Sequence, residues 1–205
     1  ASYLGDVLNP ADNADEYFTE RDKALNLGVY AADLSYVTTY DRSQEIQEYS
    51  RAIKILTDEL NINIDFERLS SQEAKEKLQH KDSLVNYVTR VFHETYSFLN
   101  KKGQPSLSAL MISGIWSEGL YIATHISEDT YNNYEIVKLI YDQKKSLKKV
   151  IGLLEKFKDE ERVATLHKAF TKLYNIYEEA GTDLTREELD AITGAIEQIR
   201  EGIVS

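Results

Sequence analysis

The chain has 205 residues, 42% hydrophobic and 29% charged, enough for one core that removes roughly 70% of the unfolded surface from water. Its 35 acidic against 24 basic side chains leave a net charge of −11, which excludes nucleic-acid binding that depends on neutralising phosphates. Cysteine is absent, so disulfides, thiol catalysis and thiolate zinc sites are excluded, and nine glycines with two prolines do not make a low-complexity chain.

The opening Ala1-Ser2-Tyr3-Leu4-Gly5-Asp6 has no basic n-region or apolar h-region, so no signal peptide is legible there. Apolar residues then recur at helical spacing, and no run of alternating β-branched residues is bounded by turn signals. An all-α protein is expected. A short helix over 12–19, capped by Asp12 or Asn13, precedes a longer one over 21–39. Asp41 or Ser43 caps the next, whose stripe Ile46, Tyr49, Ile53, Leu56, Leu60 predicts a buried face to about residue 61. Ser70 or Ser71 with Glu73 starts a short polar helix. Residues 82–100 follow, with Leu84, Val85, Val88, Val91, Phe92, Thr95, Tyr96 and Leu99 as a broad apolar face, stopped by Lys101-Lys102-Gly103 and Pro105. Helices over 106–127, 132–158, 160–180 and 185–203 complete the chain, the last opened by a capping box at Thr185-Arg186-Glu187-Glu188. About eight helices with short connections imply mostly antiparallel neighbours in one helical domain over 1–205.

Leu25 to Tyr40 and Leu107 to Ile126 are apolar or small nearly all round, as expected of helices surrounded by others. The second is long enough to span a membrane, but Glu118, His125 and several serines make it a buried helix instead. The two stretches align at an offset of 91, pairing Gly28 with Gly119, Tyr30 with Tyr121, Ala32 with Ala123, Thr39 with Thr130 and Tyr40 with Tyr131. Two related halves, about 12–103 and 104–205, are therefore expected, with Gly28 and Gly119 at close helix crossings.

Lys23-Ala24-Leu25-Asn26-Leu27-Gly28-Val29-Tyr30-Ala31-Ala32-Asp33-Leu34-Ser35-Tyr36, Tyr40 and the run from Leu56 to Ile62 resemble a group of all-helical lipoproteins from Bacteroidota. Thr89-Arg90-Val91-Phe92 and Gly114-Ile115-Trp116-Ser117-Glu118-Gly119-Leu120-Tyr121 extend the likeness over most of the chain. The resemblance implies a cell-envelope protein facing periplasm or exterior, with membrane attachment only through a lipidated cysteine upstream of Ala1. It carries over no catalytic residue.

Several groups of residues are candidates for function. Asp33 lies inside an apolar helix near Tyr36 and Tyr40, and Glu118 near Tyr121 poses the same question in the second half. A buried carboxylate must be paired or hydrogen-bonded, so these five residues either fix helix register or line a polar ligand pocket. His125 and Glu128 form a His-x-x-Glu, with Glu118 two helical turns earlier, a set that can suit zinc or iron. It is similar to the Gly-x-His-x-x-Glu of imelysin-like proteins, although Ala123 stands at the glycine position and Leu34 and Val37 occupy the matching places in the first half.

Tyrosine outnumbers phenylalanine 14 to 6. Pairs such as Tyr36/Tyr40, Tyr131/Tyr134, Tyr134/Tyr141 and Tyr174/Tyr177 pack helices with their hydroxyls at the rim, or ring a groove for a sugar or peptide. Lys144-Lys145, Lys148-Lys149, Lys156 and Lys158 form a basic face that is solvated or meets anionic lipid. Nothing resembles a phosphate loop, dinucleotide fingerprint or nucleophile elbow. No catalytic residue or cofactor is assigned, and a non-enzymatic envelope module with a protein partner or a small ligand is the expected function, ahead of a metal-dependent enzyme.

Overall fold

The structure, a computed structural model, describes residues 3–62, 81–126 and 130–205, without the side chains of 81–88. The short polar helix expected after Ser70 lies outside those residues, as does Glu128. Seven α-helices are present among the described residues: α1 Glu20–Thr39, α2 Ser43–Glu59, α3 Lys81–Lys101, α4 Pro105–His125, α5 Tyr134–Leu154, α6 Glu161–Glu179 and α7 Arg186–Val204. The fold is all-α. None of the described helices is long and apolar enough to cross a membrane.

Local chemistry sets most boundaries. Thr19 caps α1 through Asp22 N, Asn133 caps α5 through Ile136 N, and Thr185 with Glu188 closes the expected capping box on α7. Gly103 ends α3 at φ +75°, where its freedom allows the reversal that pairs Gln104 N with Leu99 O. Three expectations are corrected. The first short helix is a 3-10 segment, Ala11–Glu16, behind Pro10, and neither Asp12 nor Asn13 caps it. Asp41 takes a left-handed turn conformation at φ +55° rather than capping α2, whose first residue is Ser43. The helix expected over 132–158 is shorter, because the chain tightens into a 3-10 turn at Glu155–Phe157.

Three-four spacing explains the outer layers. α2 buries Tyr49, Ala52, Ile53 and Leu56; α5 buries Val137, Ile140, Leu147, Val150 and Leu154; α6 buries Val163, Leu166, Phe170, Leu173 and Tyr177; α7 buries Leu189, Ile192, Ile196, Ile199 and Ile203. The stripes of α2, α5 and α7 face a central pair, α1 and α4, and that of α6 faces α5 and α7. Helices α2, α3 and α7 pack on α1, while α3, α5 and α7 pack on α4. Both central helices bury side chains around most of their circumference, as their composition predicts.

Most neighbours are antiparallel: Lys23 pairs with Glu59 across α1 and α2, Tyr177 with the Ile140 carbonyl across α5 and α6, and Glu118 with Arg200 and His125 with Glu197, in opposite running senses, across α4 and α7. The central pair runs parallel. Arg162 reaches both Glu20 and Ser106 at one end, and Asp33 meets Glu118 farther along. The two helices touch where Gly28 faces Gly114. A Cβ on Gly28 would overlap the Met111 carbonyl and lie 2.7 Å from Ile115 N, and one on Gly114 would overlap the Leu25 carbonyl. Gly119, expected at the second crossing, is exposed with open space around its Cα. The alignment marks two helices of like composition, but their contact uses a different register.

Candidate functional site

The parallel packing of α1 and α4 sets Asp33 beside Glu118, and α7 brings Arg200 to the same point. Asp33 and Glu118 are fully buried. Arg200 binds Glu118 with both arms, Nε to Oε2 at 2.7 Å and Nη2 to Oε1 at 2.8 Å, a strong planar arrangement. Its Nη2 also donates to the Val7 carbonyl at 3.2 Å. Residues 3–19 thereby form a strap over the polar centre. Asn9 N donates to Asp33 Oδ2 at 3.3 Å, and Asn9 Nδ2 donates to Tyr17 Oη and to Asn26 Oδ1. Asn26 Nδ2 donates in turn to the Ile203 carbonyl, and Tyr30 Oη to the Pro10 carbonyl. Leu4 N donates to Tyr36 Oη, which closes the strap's outer end.

One guanidinium faces two carboxyls here, so the pair retains a proton. Burial pushes the Asp33 carboxyl far up from its ordinary range, and the Glu118 charge pushes it further. Burial also raises Glu118, but the Arg200 guanidinium pulls it back. Of the two acids Asp33 is the one held further towards its neutral form, and its buried Oδ1 has no hydrogen-bond donor. An acid kept neutral in the folded state binds its proton more tightly than the unfolded chain does. Its stabilisation is complete below the ordinary value of 3.8 and is lost as pH rises through the raised folded value. Asp33→Asn keeps a donor for Glu118 and an acceptor for Asn9, so it should fold and flatten this slope. Denaturant melts across pH should show wild-type stability falling relative to Asp33→Asn by at most about 1.4 kcal/mol per pH unit above the ordinary carboxyl range. Parallel profiles would place the proton elsewhere.

The remaining sequence candidates divide between two places. Tyr121 lies against this centre, its ring 4.1 Å from the Arg200 guanidinium and 4.0 Å from the His125 imidazole. His125 Nε2 meets Glu197 Oε1 at 3.0 Å, and its Nδ1 lies 2.8 Å from the Tyr121 carbonyl. Glu118 is thus engaged by Arg200 and His125 by Glu197. Among the described residues no group of three or more His, Asp or Glu side chains is placed to hold a metal ion. Tyr36 and Tyr40 join Tyr3 in a separate aromatic cluster at the end of α1, with Arg42 over the Tyr3 ring. Asp33 and Tyr36 therefore anchor the strap at different points.

Four of the other tyrosines pack helices. Tyr17, Tyr30, Tyr49 and Tyr177 are buried, and the Tyr177 hydroxyl donates to the Ile140 carbonyl. Tyr131, Tyr134 and Tyr141 differ. They line an open cleft of about 480 Å3 between the start of α5 and the α6–α7 loop, together with Asn132, Lys138, Asp142 and Asp183. Tyr134 is 70% exposed, more than packing alone leaves a ring. On the basic face Lys144 pairs with Glu178 and Lys158 with Glu155.

No family model, no curated protein and no solved structure matches the chain. The resemblance to Bacteroidota lipoproteins therefore rests on its motifs. Sequence reasoning missed Asn9, Asn26, Glu197 and Arg200. Two of them leave a trace: Asn26 interrupts the apolar run Leu25–Tyr30, and Arg200 sits at the edge of the isoleucine stripe of α7, between Ile199 and Ile203.

Proposed function

We propose that the protein is a non-enzymatic binding module of the cell envelope that presents the tyrosine cleft to a ligand, with its polar centre serving as an internal lock. The observation that carries this reading is the contrast in exposure. The groups able to do acid–base chemistry, Asp33 and Glu118, are sealed from solvent and engaged with Arg200 and Asn9, while the cleft keeps aromatic and charged groups open to water. A cavity of about 480 Å3 falls within the roughly 300–1,000 Å3 of small-molecule sites. The envelope location, with a lipid anchor upstream, follows the resemblance and suits a module whose work is done at an outward surface.

An NMR fragment screen of the full chain, with tyrosine rings labelled, tests the reading without presuming a ligand. Hits should perturb Tyr131, Tyr134 and Tyr141 and leave Tyr17 and Tyr30 unmoved. Hits that gather at Tyr121 and Tyr36 would return the ligand site to the polar centre, and a screen with no cleft hits would end the binding reading.

A further inference from the structure

We infer that the cleft takes a neutral glycan, binding the flat faces of hexopyranose rings on Tyr134 and its neighbours and their hydroxyls on Asp142, Asp183 and Asn132. This deepens the binding reading above and rests on it. Tyr134 and Tyr141 stand seven residues apart on α5, two helical turns on one face, and Tyr131 follows from the preceding 3-10 turn Thr130–Asn132. Three tyrosines line one cleft; Tyr134 is the most exposed of them, Tyr131 carries the Arg186 guanidinium over its ring, and each ring is a flat apolar body with a hydroxyl at its edge. A pyranose ring has the matching surface: axial C–H groups on a face, hydroxyls around the rim.

Charge narrows the class. Asp142 and Asp183 repel an anion, while Lys138 in the lining and Arg186, 4.6 Å over the Tyr131 ring, repel a cation. A neutral polyol uses both signs, its hydroxyls donating to the carboxylates and accepting from the ammonium. Val137 and Leu184, the aliphatic members of the lining, are themselves buried in the core. Little aliphatic surface is left for a lipid tail or an apolar peptide side chain, and the cleft's exposed matter is aromatic and polar.

The full chain with labelled tyrosine rings should be titrated with maltohexaose, cellohexaose and chitohexaose, each to about 10 mM, a range that reports dissociation constants near 1 mM. At least one should shift Tyr131, Tyr134 and Tyr141 saturably. Tyr134→Ala and Asp183→Asn, both at exposed positions, should each weaken that binding at least tenfold with the melting temperature unchanged. Silence with all three glycans overturns the inference, as does binding that survives both substitutions, or equal binding of a hexalysine or hexaglutamate peptide. If fragments find the cleft and the glycans do not, the ligand class falls and the binding reading stands; if neither does, both fall.

Discussion

Arg200→Met is expected to lower stability by about 3–5 kcal/mol, the range for breaking a buried ion pair by removing one partner. The loss has three parts: Glu118 is left buried without its bidentate cation, the Val7 carbonyl loses its donor, and the strap loses a tie to α7. Without Arg200 to pull it back, Glu118 is pushed up by burial as Asp33 is, so the variant's stability should fall with rising pH more steeply than that of the wild type. Adding Glu118→Leu removes the stranded carboxyl. The double variant should recover part of the loss, because two residues in direct contact do not act additively. Denaturant melts of the wild type, the two single variants and the double variant measure it; an Arg200→Met chain that melts with the wild type would show that the guanidinium is not what seals the centre.

Gly28→Ala is expected to be nearly as damaging. The added methyl meets the Met111 carbonyl and Ile115 N, which are backbone atoms of a buried helix and cannot turn aside as a side chain would. The α1–α4 crossing must open, and overpacking of this kind costs about 3 kcal/mol, the upper part of its usual range. For a chain of this size that is about 6–12 °C in melting temperature. Gly114→Ala should do the same through the Leu25 carbonyl. Gly119→Ala is the control: with open space around it and an exposed place in α4, it should gain about 0.5–1 kcal/mol from helix propensity. Equal losses at Gly28 and Gly119 would favour the symmetric crossing that the internal alignment suggests over the one in the structure.

These glycines also show what the sequence can and cannot disclose. Composition identifies α1 and α4 as surrounded helices, because Gly, Ala, Ser and Leu on most sides leave little solvent face. It does not reveal which residues touch. Gly28 meets Gly114, five positions short of the Gly119 that the alignment selects, since similarity along two helices carries no information on how one slides past the other. Burial of Asp33 follows from its neighbours in sequence. Its pairing with Glu118 depends on the parallel arrangement of the two helices, which short connections argue against, and the cation that completes the centre is one of 24 basic residues.

The tyrosines divide in the same way. Residue type says that a ring has an apolar body and a polar tip, and both uses of it are found here. Tyr177 spends its body on the core and its hydroxyl on the Ile140 carbonyl, whereas Tyr134 holds its ring in solvent. Spacing on α5 is compatible with either. What separates them is the α6–α7 loop, which brings Asp183 opposite from more than forty residues away in sequence.

The cation of the polar centre is also the last of its parts to be made. Arg200 follows Glu118 by 82 positions along the chain, so on a ribosome α1 and α4 can meet at Gly28 and Gly114 while no guanidinium yet exists for their carboxyls. At that stage both acids must stay protonated or keep water beside them, and the strap has Asn9 to hold it to Asp33 but nothing to hold Val7. Closure thus waits for α7. The pH at which α7 arrives therefore helps set how readily the seal forms.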